Sequence, residues 1–136
     1  MNIKTFNASS APRPAGGYSQ ALELTDFKRL LFVSAQIAES ATGRVPDDFM
    51  SQARLLWANI AAQLEAASMS MTNLVKVTIF LSSRDDSVAN REARQEALGD
   101  LAPALTVIIT AYSMSAGCWK SKPLRRSSRR RSACPD

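Results

Sequence analysis

The chain contains no histidine. That single absence removes Ser-His-Asp and Cys-His nucleophile systems and every zinc site built on an imidazole. Any proton transfer falls to carboxylates, tyrosine, lysine or bound water. Cysteine is nearly absent too: Cys118 and Cys134 allow neither a disulfide framework nor a four-cysteine metal site, a usage that fits a reducing compartment. No hydrophobic run approaches membrane-spanning length, and the opening Met1-Asn2-Ile3-Lys4-Thr5-Phe6 lacks the apolar core of an export signal. The expectation is a soluble cytoplasmic protein with no membrane partner, no metal and no cofactor.

What is present is enough for one domain with a real core, at 136 residues. The net charge of +5 is unevenly placed. Residues 1–110 carry ten Lys/Arg against eleven Asp/Glu, whereas residues 111–136 carry seven against one. All the basicity therefore lies in the tail, and the chain divides into a domain of residues 1–110 and an aberrant basic tail of residues 111–136. The run Leu124-Arg125-Arg126-Ser127-Ser128-Arg129-Arg130-Arg131 has the charge to attract RNA or anionic lipid. No aromatic platform or binding fold accompanies it, so a disordered, silent tail is the reading and nucleic acid is not an expected partner.

Periodicity sets the elements. Residues 3–7 read as a short edge strand, residues 8–17 as a loop rich in Ser, Pro and Gly. Residues 19–25 and 29–34 read as two strands of a hairpin around Asp26-Phe27-Lys28, the second with the apolar run Leu30-Leu31-Phe32-Val33 and hence central. Asp47 or Asp48 is placed to cap a helix whose apolar residues Phe49, Ala53, Leu56, Ile60, Leu64 and Ala67 recur at steps of three and four. Residues 68–72 connect to a strand over 74–81. Asp85-Asp86 can cap a second helix over 87–98, with a thinner stripe of Val88, Ala89, Ala93 and Ala97 and with Gly99 to end it. Leu105, Val107 and Ile109 alternate with Thr106, Ile108 and Thr110 in a last strand with both faces largely covered, opened by Pro103. This order predicts an α+β or mixed α/β fold, a sheet with two helices on one face. The uncovered sheet face calls for a second copy of the chain.

Four stretches in this order resemble one known family. They are Pro14-Ala15-Gly16-Gly17-Tyr18-Ser19-Gln20-Ala21, Phe32-Val33-Ser34-Ala35-Gln36-Ile37, Gln52 with Asn59 and Leu64-Glu65-Ala66-Ala67, and Leu74-Val75-Lys76-Val77-Thr78-Ile79-Phe80-Leu81. Together with Leu98-Gly99 and Pro103-Ala104 they resemble the RidA (YjgF, reactive-intermediate deaminase) family over nearly all of residues 1–110. The resemblance implies an α+β, chorismate-mutase-like mixed sheet with two helices, assembled as a homotrimer with ligand clefts between subunits. It implies cofactor-free hydrolysis of reactive enamines and imines to a 2-oxo acid and ammonia. A protonated imine is already electrophilic, so a site needs only to hold the substrate carboxylate, position a water and shuttle a proton.

The same resemblance marks Tyr18, Ser34, Ala35, Gln36, Asn90, Leu105 and Thr106 as ligand-binding positions. Active members place an arginine after the late Pro-Ala, where it grips the substrate carboxylate. Here that position is Leu105, which offers no donor, and the water-positioning glutamate of the last strand has no counterpart after Thr110. Ala35 stands where the family has glycine. On this reading the guanidinium of the cleft is gone. Three functions compete: imine hydrolysis from an altered site, a non-catalytic trimer binding small metabolites and preferring uncharged or partly apolar ones, and RNA binding.

The tail has an account of its own. Reading the codons for Cys118-Trp119-Lys120 from their third bases forces Leu and then Glu, and continuing through Ser121, Lys122 and Pro123 permits Ile-Glu-Ala. Leu-Glu-Ile-Glu-Ala resembles the usual end of the family, so residues from about 111 onward read as a frameshifted translation. Sequencing the gene checks this. A single-base insertion or deletion near codon 110 that restores the family ending is the expected result, and its absence ends the idea.

Overall fold

A computed structural model of the chain describes residues 1–14 and 16–110. The expectations for the basic tail, its cysteines and its shifted frame lie outside these residues. In chain order the elements are β1 (Asn2–Phe6), β2 (Ala21–Thr25), α1 (Phe49–Ala66), a short 3-10 turn (Met71–Asn73), β3 (Lys76–Leu81), α2 (Ser87–Leu98) and β4 (Ala104–Ile109). This is the α+β architecture with two helices that the sequence implies. Its strand pairings are mixed, antiparallel for β1–β2 and parallel for β3–β4, and they form two two-stranded sheets.

Helix α1 starts where its cap predicts. The Asp48 carboxylate accepts a hydrogen bond from the Ser51 amide at 2.9 Å, satisfying one of the free N–H groups of the first turn. That bond holds the Asp48 pKa below its ordinary 3.8. A lowered folded pKa means that the cap contributes fully above the ordinary value and is lost as pH falls through the lowered one. Replacing Asp48 by alanine is therefore expected to reduce helicity at neutral pH and to flatten the acid limb of the far-UV circular dichroism curve below pH 3.8. An unchanged acid limb would contradict this role. Helix α2 begins at Asp86 without a side-chain cap and ends at Gly99, whose φ of +53° is a backbone state that glycine tolerates best.

Helices α1 and α2 pack together, and among the described residues the buried apolar side chains are Trp57 and Leu64 of α1, Ala93 and Leu98 of α2, Leu81 at the end of β3 and fully buried Pro103 before β4. Along β3 the half-buried or buried Val77, Ile79 and Leu81 alternate with exposed Lys76, Thr78 and Phe80. The register Val77↔Leu105 puts Leu105 on the buried side of this sheet.

Two sequence expectations are corrected. Residues 29–34 form no strand, and β2 pairs with β1 rather than with them. The reason is the lack of a ladder. The Arg29 guanidinium donates to the Ala67 carbonyl at 3.1 Å, tying the segment to the end of α1, and four apolar residues without a strand beside them gain no interstrand hydrogen bonds. Leu30 and Phe32 are consequently exposed, Phe32 to 85 %. The last strand is likewise not covered on both faces: Val107, Ile108 and Ile109 are all exposed in the single chain. Apolar β-branched residues predict a strand, but only neighbours bury one.

Candidate functional site

The site is assembled around residues 16–19. Gly16 and Gly17 both have positive φ, +81° and +66°, which turns the loop back against α2. Ser19 is buried, and it fastens this loop to the approach of β4. Its amide donates to the Pro103 carbonyl at 3.3 Å, its hydroxyl donates to the Ala102 carbonyl at 2.8 Å, and it bridges to Ala104. Tyr18 is thereby held beside the start of the strand that carries Leu105 and Thr106. Removing the hydroxyl with Ser19→Ala is expected to cost about 0.5–1.5 kcal/mol in urea unfolding, the net worth of one such bond. A cost below a tenth of that range would show that the fastening is carried by the backbone alone.

Helix α2 supplies the other wall. Asn90, Ala93, Arg94 and Leu98 are its buried residues, so the helix turns two polar side chains inward, one turn apart on the same face. Val88 of the expected stripe is instead 69 % exposed. Arg94 is the residue that sequence reading missed. Its guanidinium donates through Nη2 to the Gly16 carbonyl at 3.3 Å, while its Nε has no hydrogen-bond partner among the described residues. Burial lowers its pKa, Arg91 lowers it further, and the nearby Tyr18 phenol acts in the opposite sense. Hydropathy assigns an arginine to solvent, and only the positive-φ loop Gly16-Gly17 hinted that another group approaches closely here.

The other expected positions divide. Tyr18 is held by the Ser19 bridge beside the strand that carries Leu105, and Asn90 is buried on the face of α2 that also carries Arg94. Thr106 points to the opposite, exposed side of its sheet, where its hydroxyl accepts from Lys76 Nζ. Ser34 and Ala35 are exposed, and Gln36 bonds back to the Ser34 carbonyl at 3.0 Å. The segment that follows them is held to α1 by Asn59, which donates to the Ile37 and Glu39 carbonyls. No described hydrogen bond joins residues 34–36 to Tyr18 or Asn90 within one chain. Among the described residues no group of His, Cys, Asp and Glu side chains is close enough to hold a metal ion, and no helix is long and apolar enough to cross a membrane.

Comparison with known proteins agrees with this architecture. A RutC family protein of Pyrococcus horikoshii is 37 % identical over 101 residues, covering 73 % of this chain and 78 % of that protein. The 2-iminobutanoate/2-iminopropanoate deaminase of Escherichia coli is 34 % identical over 84 residues, covering 61 % of this chain and 63 % of the enzyme. Among solved structures, RidA from the Antarctic bacterium Psychrobacter sp. PAMC 21119 superposes with a TM-score of 0.59 at 28 % identity, covering 79 % of this chain and 86 % of that one. A Rid-family protein of Yersinia pestis reaches a TM-score of 0.69 at 20 % identity, covering 84 % and 91 %, a likeness of fold. The family model described as Endoribonuclease L-PSP matches residues 8–114, and the chain is a member of that family, the one that holds the RidA and RutC proteins.

Proposed function

We propose that the chain hydrolyses small imines or enamines to a 2-oxo acid and ammonia, in a cleft completed by further copies of itself. The carrying observation is that the Gly16–Ser19 loop takes a hydrogen bond from the buried Arg94 of α2 and is fastened by Ser19 to the approach of the strand that carries Leu105. In the reaction a water oxygen bonds to the imine carbon, the nitrogen takes up protons, and the carbon–nitrogen bond then breaks to release ammonia and leave the 2-oxo acid. The site must orient the substrate and the water, and neither task calls for an imidazole. Membership in a family with a 2-iminobutanoate/2-iminopropanoate deaminase among its similar proteins supports this reading.

The exposed apolar side chains support a homotrimer. Leu30, Phe32, Val107, Ile108 and Ile109 all stand out from the single chain. We place the protein in the cytoplasm on its cysteine usage. Purified chain is expected to accelerate 2-oxo acid release from freshly generated 2-iminobutanoate and to sediment at three times its 14.8 kDa mass. Release no faster than buffer across several amino-acid-derived imines overturns the enzymatic reading.

One observation favours a second reading. Leu105 stands on the buried face without a donor, so a trimer that binds small metabolites without hydrolysing them would keep ligand affinity and show no release.

A further inference from the structure

Arg94 violates the rule that a buried cation is paired. Its residue surface is 4 % exposed, its Nε is orphaned, and no carboxylate among the described residues is within ion-pair reach of it. The one hydrogen bond it makes among the described residues, to Gly16, is long at 3.3 Å against the usual 2.9–3.0 Å. A buried guanidinium left in this state is costly, and such violations concentrate where a protein binds something.

The molecule contains its own comparison. Arg54 presents the same edge of its guanidinium to Glu96, with Nε 3.0 Å from one carboxylate oxygen and Nη2 3.1 Å from the other. That is the side-on bidentate pair, the strongest arrangement an arginine makes. In Arg94 the Nη2 of this edge is weakly used and the Nε is unused. We infer that Arg94 is the carboxylate anchor of the ligand site, taking a small 2-oxo or 2-imino carboxylate side-on, with one oxygen on Nε and the other displacing the Gly16 carbonyl from Nη2. This rests on the imine reading above and names the group that would hold the substrate.

Three features of the surroundings fit. Leu105 is apolar and contributes no competing charge on the buried face of β4. Asn90, one turn earlier on the same face of α2, offers a neutral amide and leaves the guanidinium uncompensated. A Cβ on Gly17 would sit 4.0 Å from Arg94 Nε, so glycine there keeps side-chain atoms away from that buried nitrogen. The family arginine expected at position 105 is absent, and Arg94 of α2 reaches the Gly16–Tyr18 loop instead.

The test uses full-length protein and titration calorimetry with 2-oxobutanoate and, as the uncharged control, its methyl ester. Wild-type protein is expected to prefer the acid, and Arg94→Met to weaken acid binding about 10- to 100-fold with little change for the ester. Arg94→Lys keeps the charge without the two-nitrogen edge and is expected to fall between. Adding Leu105→Arg to Arg94→Met is expected to restore acid binding. Should Arg94→Met fail to fold, the acid-to-ester ratio of wild type and the Arg94→Lys variant carry the same test. Equal affinity of wild type for acid and ester, or acid binding within twofold in folded Arg94→Met, overturns the inference. The two readings fail separately: imine hydrolysis with an unchanged KM in Arg94→Met removes the anchor and leaves the deaminase. Arg94-dependent acid binding without hydrolysis removes the deaminase and leaves the anchor.

Discussion

Trp57→Ala is expected to shift the urea midpoint down by about 2 M or more at fixed chain concentration, leaving much of the protein unfolded at room temperature. Trp57 is 7 % exposed and lies where α1 meets α2, in a groove whose lining includes Ala58, Ala61, Ala93 and Ala97 beside Met71. The four alanines have no side-chain length with which to close the void, which leaves Met71 alone among the apolar lining residues to move into it. Truncating a buried tryptophan costs about 3–5 kcal/mol, and the total stability of a domain is about 5–15 kcal/mol. Here the other buried apolar side chains are Leu64, Leu81, Ala93, Leu98 and Pro103, so the margin is at the low end. A midpoint within about 0.5 M of wild type would show that the helix pair is not the centre of the core.

Asn90→Asp is expected to make the free protein more stable and the ligand-binding protein nearly inert. The substitution is close to isosteric, and it places a carboxylate four residues before Arg94 on the buried face, the favourable order for an acid and a base on a helix. The introduced carboxylate would take the Nε that is now orphaned and remove the penalty of a buried unmade bond, about 1–3 kcal/mol. Paired with the guanidinium, its pKa would be depressed. The added stability would then be present above the ordinary aspartate range and lost as pH falls through the depressed value. The same internal pair would compete with any ligand carboxylate, weakening 2-oxobutanoate binding about tenfold or more. Thermal melts and calorimetry at neutral pH read both effects. A variant that is less stable and binds equally well would show that Arg94 faces neither Asn90 nor the ligand.

The fate of α2 shows what was legible in the chain and what was not. Its C-terminal bound followed from Gly99, since turn chemistry is written in single residues, whereas Asp86 stands at its start without making a side-chain cap. Its buried face did not follow. An apolar stripe through Val88, Ala89, Ala93 and Ala97 was the natural phase, and the helix instead buries Asn90 and Arg94, residues that no hydropathy scale turns inward. In α1 the stripe ran through Leu56, Ile60 and Leu64, of which Leu64 is buried, while Trp57, one position off that stripe, is buried as well. Strand β4 was legible from its alternation and Pro103, and its parallel pairing with β3 follows from the helix between them. Residues 29–34 were not legible because a strand is a relation between segments. The apolar run there is as strong as any, but among the described residues no strand pairs with it. Arg94 was not legible for a related reason. Leu105 leaves the family position without a cation, and only the fold brings Arg94 to the Gly16–Tyr18 loop from 78 residues away.

The central claim is that the Arg94 guanidinium waits for a carboxylate at Nε. Side-chain arginine NMR reads that nitrogen directly in 15N-labelled protein, with Arg94→Lys identifying its resonance. Titration with 2-oxobutanoate is expected to move the Arg94 Nε–H proton downfield and to slow its exchange with water, as a charge-assisted hydrogen bond forms, while the Arg54 resonance, already held by Glu96, stays in place. A stationary Arg94 signal in protein that binds the acid would contradict the account.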